Sequence, residues 1–396
     1  MNIVVGVTGS IAAYKAVDLV SQLKKLNHQV RVVMTEHATK FVQPLTFETI
    51  SQNSCIVGMF DEGVPALAHI ELSKWADLCL IVPADANVIA KLAAGLADDF
   101  LTTFILAFDG TVILAPAMNT VMYQQKITQD NMKKLIEYGY EFIEPFKGKL
   151  ACGDVGVGKL ADVSTILYTV KKFSTCQSLK NKKIVVTAGP TIGKIDPVRY
   201  ITNHSSGKMG FSIADEAALR GADVTLVAGK VQRNTPLGVV RVDVTTTEEM
   251  LEALQKLVVD ADVLIMAAAP ADYSPAEYHD EKIKKADSKL TLMLNKNVDI
   301  LKSLQSLLKG KIVVGFAAES HALLDHAHKK LIEKNLDMIV ANNIAGKETA
   351  FQSDYNTVTF LHKDGRREDI PKQLKSQVAG RILDEILKLE AHKEER

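Results

Sequence analysis

Twice along this chain an apolar, β-branched run gives way to a glycine turn and then to an amphipathic helical pattern, and the second start repeats the first. "NIVVGV" runs into "TGSIAAYK" at the beginning, and "KIVVTAGPT" restarts the theme at Lys183. Strands that alternate with helices in this way must lie parallel, because each crossover helix returns the chain to the same end of the sheet. Apolar runs without polar alternation further require both sheet faces to be covered. In the first half the pattern reads "NIVVGV", a helix over about 11–26, "VRVVM", "LCLIV", a helix over about 86–96, and "TVILA". In the second it reads "DVTLVAG", "DVLIMAAA", "KIVVGFAAE" and "DMIVAN", with helices near 209–220, 248–259 and 321–334 and a late hairpin at "NTVTFLHKDGRRE". The expected fold is α/β: two doubly wound, Rossmann-like three-layer domains. The polar stretch "KKFSTCQSLKNKK" separates them, which divides the 396 residues into 1–176 and 177–396.

Lys+Arg and Asp+Glu both number 47, so no global positive field favours nucleic acid or an anionic membrane, and any anion site must be local. The chain enters its first strand without a basic leader, and no apolar run approaches the roughly 20 residues of a membrane span. A cytoplasmic protein is expected. Cys55, Cys79, Cys152 and Cys176 form no C-x-x-C pair or metal spacing, which fits reduced thiols. Cys79, inside "LCLIV", reads as a small core residue.

Ligands of open parallel sheets bind beyond the strand C-termini. There the first half places Gly9, Ser10 and Ile11 at the mouth of a helix, a turn that lacks G-x-G-x-x-G and by itself is either a tight turn or an anion site. Asn87 closes "VPADAN" and Asn119 closes "LAPAMN". Both are turn formers or amide ligands, and His69 in "LAHIELSKWAD" is a partly buried histidine or a working one. Cys152 stands on the glycine-rich "KLACGDVGVGKLAD", where Gly153, Gly156 and Gly158 would let a flap bend and approach closely.

Taken in order, "GSIAAYK", "MTEHA", "HIEL", "PADAN", "PAMN" and "ACGD-x-G-x-G" resemble the flavin-dependent cysteine decarboxylase family over about residues 1–165. The resemblance implies FMN bound near Gly9, Ser10, Ile11, Thr35 and Asn87, with the 98–103 segment close by. It implies Asn119 on the substrate carboxylate, His69 assisting proton transfer, and Cys152 donating the proton. A flavin makes chemical sense, because loss of carbon dioxide from an unactivated amino acid leaves electrons that need a sink. Val157 and Leu160 stand where the family often has Pro and Met.

The second half crowds Gly, Asn, His, Ser and Ser before a helix in "GPTIGKIDPVRYITNHSSGKMGFSIA", a run able to cradle phosphate although no Walker A motif is present. "EKIKK" carries Lys282, and Lys330 and Lys334 share one helix face at i, i+4. "DPVRY-x-x-NHSSGKMG", "AAPADY" and "EKIKK" together resemble phosphopantothenate–cysteine ligases over about residues 180–390, with "TIGKIDPVR" where the family commonly has T-R-E-x-I/L-D-P-V-R. Both halves together resemble the bacterial fusion of ligase and decarboxylase in coenzyme A biosynthesis.

That resemblance implies phosphopantothenate, cysteine and CTP as substrates, with magnesium arriving on the nucleotide, since no metal ligands can be assigned. It places Asn203 at an acyl-cytidylate. Asp272, Lys282, Val298, Asp299, Ile300, Leu301, Phe316, Lys330 and Lys334 fall on CTP, Arg199 on phosphopantothenate, and Lys282 also in catalysis. A homo-oligomer with trimeric decarboxylase and dimeric ligase contacts is implied too. Two rivals stand beside this reading: a nicotinamide oxidoreductase on a similar fold, and a flavoprotein that serves as a binding subunit.

Overall fold

The computed structural model describes residues 1–149, 153, 155–284, 290–319, 323–343 and 353–394. The chain forms two compact units, Met1–Ser174 and Thr175–Arg396.

The first unit runs β1 (Asn2–Val7), α1 (Ala13–Lys25), β2 (Gln29–Met34), α2 (Pro44–Ser51), β3 (Cys55–Ile56), α3 (Ala68–Trp75), β4 (Leu78–Ala84), α4 (Ala86–Ala94), α5 (Phe100–Ala107) and β5 (Thr111–Pro116). It continues through α6 (Thr120–Gln124), α7 (Lys126–Glu137), β6 (Glu141–Phe142), β7 (Phe146–Lys149), β8 (Val155–Lys159) and α8 (Val163–Ser174). Six parallel strands pair in the order β3-β2-β1-β4-β5-β6. Alternate residues of each strand feed opposite cores. Ile3, Val5 and Val7 pack with α1 and α8, while Val4, Cys79 and Ile81 pack with α4 and α5. Cys79 is fully buried, and burial pushes its thiol well above the ordinary range.

The second unit contains β9 (Lys183–Ala188), β10 (Ile192–Lys194), β11 (Tyr200–Thr202), α9 (Lys208–Leu219), β12 (Asp223–Ala228), β13 (Val239–Asp243), α10 (Thr247–Leu257), β14 (Val263–Met266), β15 (Tyr273–Pro275) and β16 (Leu294–Lys296). After these come α11 (Ile300–Leu304), β17 (Ile312–Glu319), α12 (Leu323–Glu333), β18 (Met338–Asn343), β19 (Tyr355–His362), β20 (Arg367–Leu374) and α13 (Lys375–Glu394). Its sheet order is β13-β12-β9-β14-β17-β18-β19-β20, parallel as far as β18 and closed by the antiparallel hairpin β19–β20. Helices α9 and α13 cover one face and α10, α11 and α12 the other. Each unit is therefore doubly wound, as the alternation requires.

Two features depart from the pattern reading. The glycine-rich segment read as a bare flap contains an antiparallel hairpin, β7 against β8. The run 189–202, to which the pattern assigns no strand, contains the ribbon β10–β11, and a second ribbon pairs β15 with β16.

Candidate active sites

The strand order of the first unit reverses between β1 and β4, which opens a crevice at the strand C-termini. Thr8 fastens the two loops there, its hydroxyl donating to the Pro83 carbonyl at 2.9 Å and accepting from the Asp85 amide at 2.9 Å. Asp85 then caps α4 by accepting from the Val88 amide at 2.8 Å, which puts Asn87, exposed, in the first helical turn. A side chain at Gly9 is sterically barred, because its Cβ would lie 2.6 Å from the Cβ of His37. Gly9 and Ser10, both half-buried, lie beside Ile11, which is 56% exposed, and the Ser10 amide donates to the Thr8 carbonyl at 2.8 Å. Thr35 is buried at the end of β2, its amide donating to the Val7 carbonyl at 3.0 Å. In the 98–103 segment, Asp98 and Asp99 pair with Lys91, and Thr102 is locked in a capping box with Asp99.

His69 stands in the first turn of α3, half-buried, and its Nδ1 is buried without a hydrogen-bond partner among the described residues. His28 and the buried His362 share this, so the nitrogen by itself does not separate a packed histidine from a working one. Asn119 caps α6, its Oδ1 accepting from the Val121 amide at 2.8 Å. The β7–β8 hairpin lies directly on this turn: the Met118 amide donates to the Gly158 carbonyl at 3.0 Å, and Gly156 faces Thr120 closely enough to exclude a Cβ. Cys152, between the two strands in sequence, lies outside the described residues. Gly9, closely faced by His37 and Asp85, leaves room only for bare backbone at the strand ends, which fits the close approach a flavin would make there.

In the second unit the order reverses between β9 and β14, and a cavity of about 610 Å³ opens there. Its wall takes residues 203–209 before and into α9, 266–272 after β14, 296–301 leading into α11, Phe316 and Ala317 of β17, Lys330 and Lys334 of α12, Asn342, Asn356 and Lys375. Asn203, Asp272, Val298, Asp299, Ile300, Leu301, Phe316, Lys330 and Lys334, picked from separate motifs, are thereby brought into one wall. Asn203 donates its amide to the Pro270 carbonyl at 3.0 Å, and Lys330 donates to the Phe316 carbonyl at 2.8 Å. Lys334 pairs with Asp299 at 3.3 Å. Burial pushes the Asp299 carboxyl up, but the Lys302 amide and the Lys334 charge outweigh it and hold it below its ordinary value. A buried network behind the wall joins Thr191 to Thr247 at 2.8 Å, and Asn297 donates to the Ala271 carbonyl at 2.8 Å.

Two of the expected ligase residues lie outside that wall. Arg199 directs its guanidinium at the buried Asp196 and donates to the Ile283 carbonyl at 3.0 Å, while Lys282, exposed, is next to this anchor. Among the wall residues missed by sequence reasoning are Lys208, Lys296, Asn297, Asn342, Asn356 and Lys375. Lys208 had a signal, since it closes "NHSSGK"; Lys375 had none. Among the described residues no group of three or more His, Cys, Asp or Glu is placed to hold a metal ion, and no helix is long and apolar enough to cross a membrane.

Comparison with known proteins agrees with this division. Residues 1–175 match the Flavoprotein family model, and residues 179–389 match that of the DNA/pantothenate metabolism flavoprotein C-terminal domain. The coenzyme A biosynthesis bifunctional protein CoaBC of Bacillus subtilis (strain 168) is 43% identical over 400 residues, spanning 100% of this chain and 98% of that relative. This chain belongs to the CoaBC family. The Escherichia coli (strain K12) CoaBC is likewise 43% identical, over 98% of this chain and 96% of its own. A solved C-terminal domain of a CoaBC protein is 41% identical, covering 55% of this chain and 99% of that one with a TM-score of 0.48. As a CoaBC protein the chain is a bifunctional enzyme of coenzyme A biosynthesis, a flavoprotein decarboxylase in its first half and a phosphopantothenate–cysteine ligase in its second.

Proposed function

We propose that the second unit joins phosphopantothenate to cysteine at the expense of CTP, through an acyl-cytidylate, and that the first unit decarboxylates the product with FMN to give phosphopantetheine. The observation that carries the ligase reading is the convergence of Asn203, Asp272, Asp299, Phe316, Lys330 and Lys334 on one cavity large enough for a nucleotide. An amide cannot form from a carboxylate and an amine without activation. Lysines fixed in the wall stabilise charge that develops on phosphorus as the carboxylate attacks, since they need not reorganise during the step. Magnesium would enter with the triphosphate. Asn203, held by the Pro270 carbonyl, is positioned to bind the activated acyl group, and Lys282 contributes charge from outside the wall. Arg199 serves the phosphopantothenate end through the loop that it braces against Asp196.

In the first unit Gly9, Ser10, Ile11, Thr35 and Asn87 would hold FMN, which when bound supplies the reversible oxidation that gives the departing carboxylate's electrons a destination. Asn119 orients the substrate carboxylate from the end of β5. His69 takes or returns a proton at its unpartnered Nδ1, and Cys152 delivers the proton that completes the product. We further propose a homo-oligomer with trimeric decarboxylase and dimeric ligase contacts. Exposed apolar side chains at Leu45, Leu67, Val121 and Ile127 support subunit contacts in the first unit.

Mass spectrometry of products from the enzyme, phosphopantothenate, cysteine and magnesium, with and without CTP, tests the reading. Phosphopantetheine formed only with CTP is expected; equal product with ATP would remove the CTP assignment, and no product would remove the ligase assignment.

A further inference from the structure

We infer that Lys375, with Lys208, grips a phosphoryl group at one end of the ligase cavity, and that Lys375 takes up a proton when that group arrives. This deepens the ligase reading of the second unit and rests on it.

Lys208 is the first residue of α9 and Lys375 the first residue of α13, and both line the cavity. The positive ends of two mutually packed helices therefore meet in its wall, each carrying an ammonium group. A helix N-terminus is an unfavourable place for a cation and a favourable one for an anion. Residues 353 and 354 hold both lysines in place. Lys208 pairs with the Asp354 carboxylate at 2.6 Å, the Lys375 backbone amide donates to the Asp354 carbonyl at 2.9 Å, and the Lys375 ammonium donates to the Ser353 carbonyl at 2.6 Å.

The charge balance there tilts positive. Lys375 is only 7% exposed, so water stabilises its charge poorly, and it faces Lys208 and Arg233 as well as the carboxylate of Asp354. Burial first, then Lys208 and Arg233, push its ammonium down to about 8 despite Asp354. Asn342 lines the same cavity with a buried amide oxygen that has no partner among the described residues. An anion of two or more charges seated between the two lysines offsets their mutual repulsion and favours the protonated form of Lys375. That chemistry suits either the triphosphate of CTP or the monoester phosphate of phosphopantothenate.

Calorimetric titration of the full-length enzyme at pH 8, in two buffers of different ionisation enthalpy, separates these. Magnesium–CTP and phosphopantothenate are titrated in turn, both already deprotonated at that pH. One of the two should bind with net proton uptake, because burial and the neighbouring cations lower the Lys375 ammonium toward this pH and leave it only partly charged before the anion arrives. Lys375→Gln should weaken that ligand at least about tenfold and leave the other within about twofold. Lys375→Arg should bind within a few-fold of wild type yet lose the proton uptake, since guanidinium does not titrate in this range. Wild-type binding without uptake, or Lys375→Gln equal to wild type for both ligands, overturns the inference alone. A wild type that binds neither ligand removes the ligase reading and the inference together. If Lys375→Gln fails to fold, wild type against Lys375→Arg still decides on the uptake.

Discussion

A buried ring nitrogen without a partner costs on the order of 1–3 kcal/mol, and a folded protein retains such a cost where something else supplies the partner. Among the described residues His69 has that property at Nδ1, as His28 and His362 do, and what sets it apart is its position at the start of α3, at the ligand end of the sheet. His69→Asn should keep flavin, read from its absorbance in the purified variant, while carbon dioxide release falls at least about a hundredfold. Full release would return His69 to the status of a packing residue. Arg199 shows the opposite case, for its motif suggested a substrate contact and its guanidinium braces Asp196. Arg199 donation first, and the amides of Val198, Arg199 and Ile283 after the opposing effect of burial, hold the Asp196 carboxyl well below its ordinary range. A carboxyl depressed on folding stabilises the fold above its unfolded value near 4 and loses that contribution as pH falls toward the folded value. Asp196→Asn should therefore melt a few degrees lower than wild type at neutral pH, and scans at falling pH should show the gap narrow only below about 4. The sequence could not disclose this anchor, because the Ile283 carbonyl is 84 residues from Arg199 and arginine accepts many partners.

Among the elements, legibility followed burial. The central strands were readable because β1, β4, β9 and β17 are almost wholly apolar inside a sheet covered on both faces, which leaves no alternation to confuse with a helix. The ribbons β10–β11 and β15–β16 hold three residues per strand, too few to show a period, and only Ile192 and Gly193 of them are buried. The hairpin β7–β8 escaped for another reason, since glycines expected to give both bending and close approach carry no strand signal, and at Gly156 and Gly158 they serve close approach. Gly158 has a φ of +135° and would drive a Cβ into the Met118 carbonyl oxygen. Gly158→Ala combines backbone strain with that collision, at a cost of about 1–3 kcal/mol, and relief must lift the hairpin from the Asn119 turn. Decarboxylation should drop sharply while ligation, assayed as pyrophosphate release with phosphopantothenate and cysteine, stays at the wild-type rate. Unchanged decarboxylation would show that the hairpin need not rest on Asn119.

At the scale of the whole chain, the same sheet order is built twice, and in each copy the ligand groups fall at the reversal: β1 against β4, then β9 against β14. The duplication was plain in the sequence because strand, glycine turn and helix recur as a block. The location of each crevice follows from topology rather than from any single motif. Chemistry distinguishes the copies. Ammonium groups around a cavity suit nucleotidyl transfer in the second, while a backbone cradle and an imidazole suit decarboxylation in the first. Since each unit has its own cores and its own set of site residues, the two activities should be lost separately. Cys152→Ser should accumulate phosphopantothenoylcysteine from phosphopantothenate, cysteine and CTP. Asn203→Asp should form none, yet decarboxylate added phosphopantothenoylcysteine at the wild-type rate. Mixing the two purified variants should then restore phosphopantetheine, because the intermediate released by one is substrate for the other. Mass spectrometry of the mixture reads the outcome: phosphopantetheine near the wild-type yield supports free release of the intermediate, whereas phosphopantothenoylcysteine persisting beside an active decarboxylase would mean that the intermediate stays on the chain that made it.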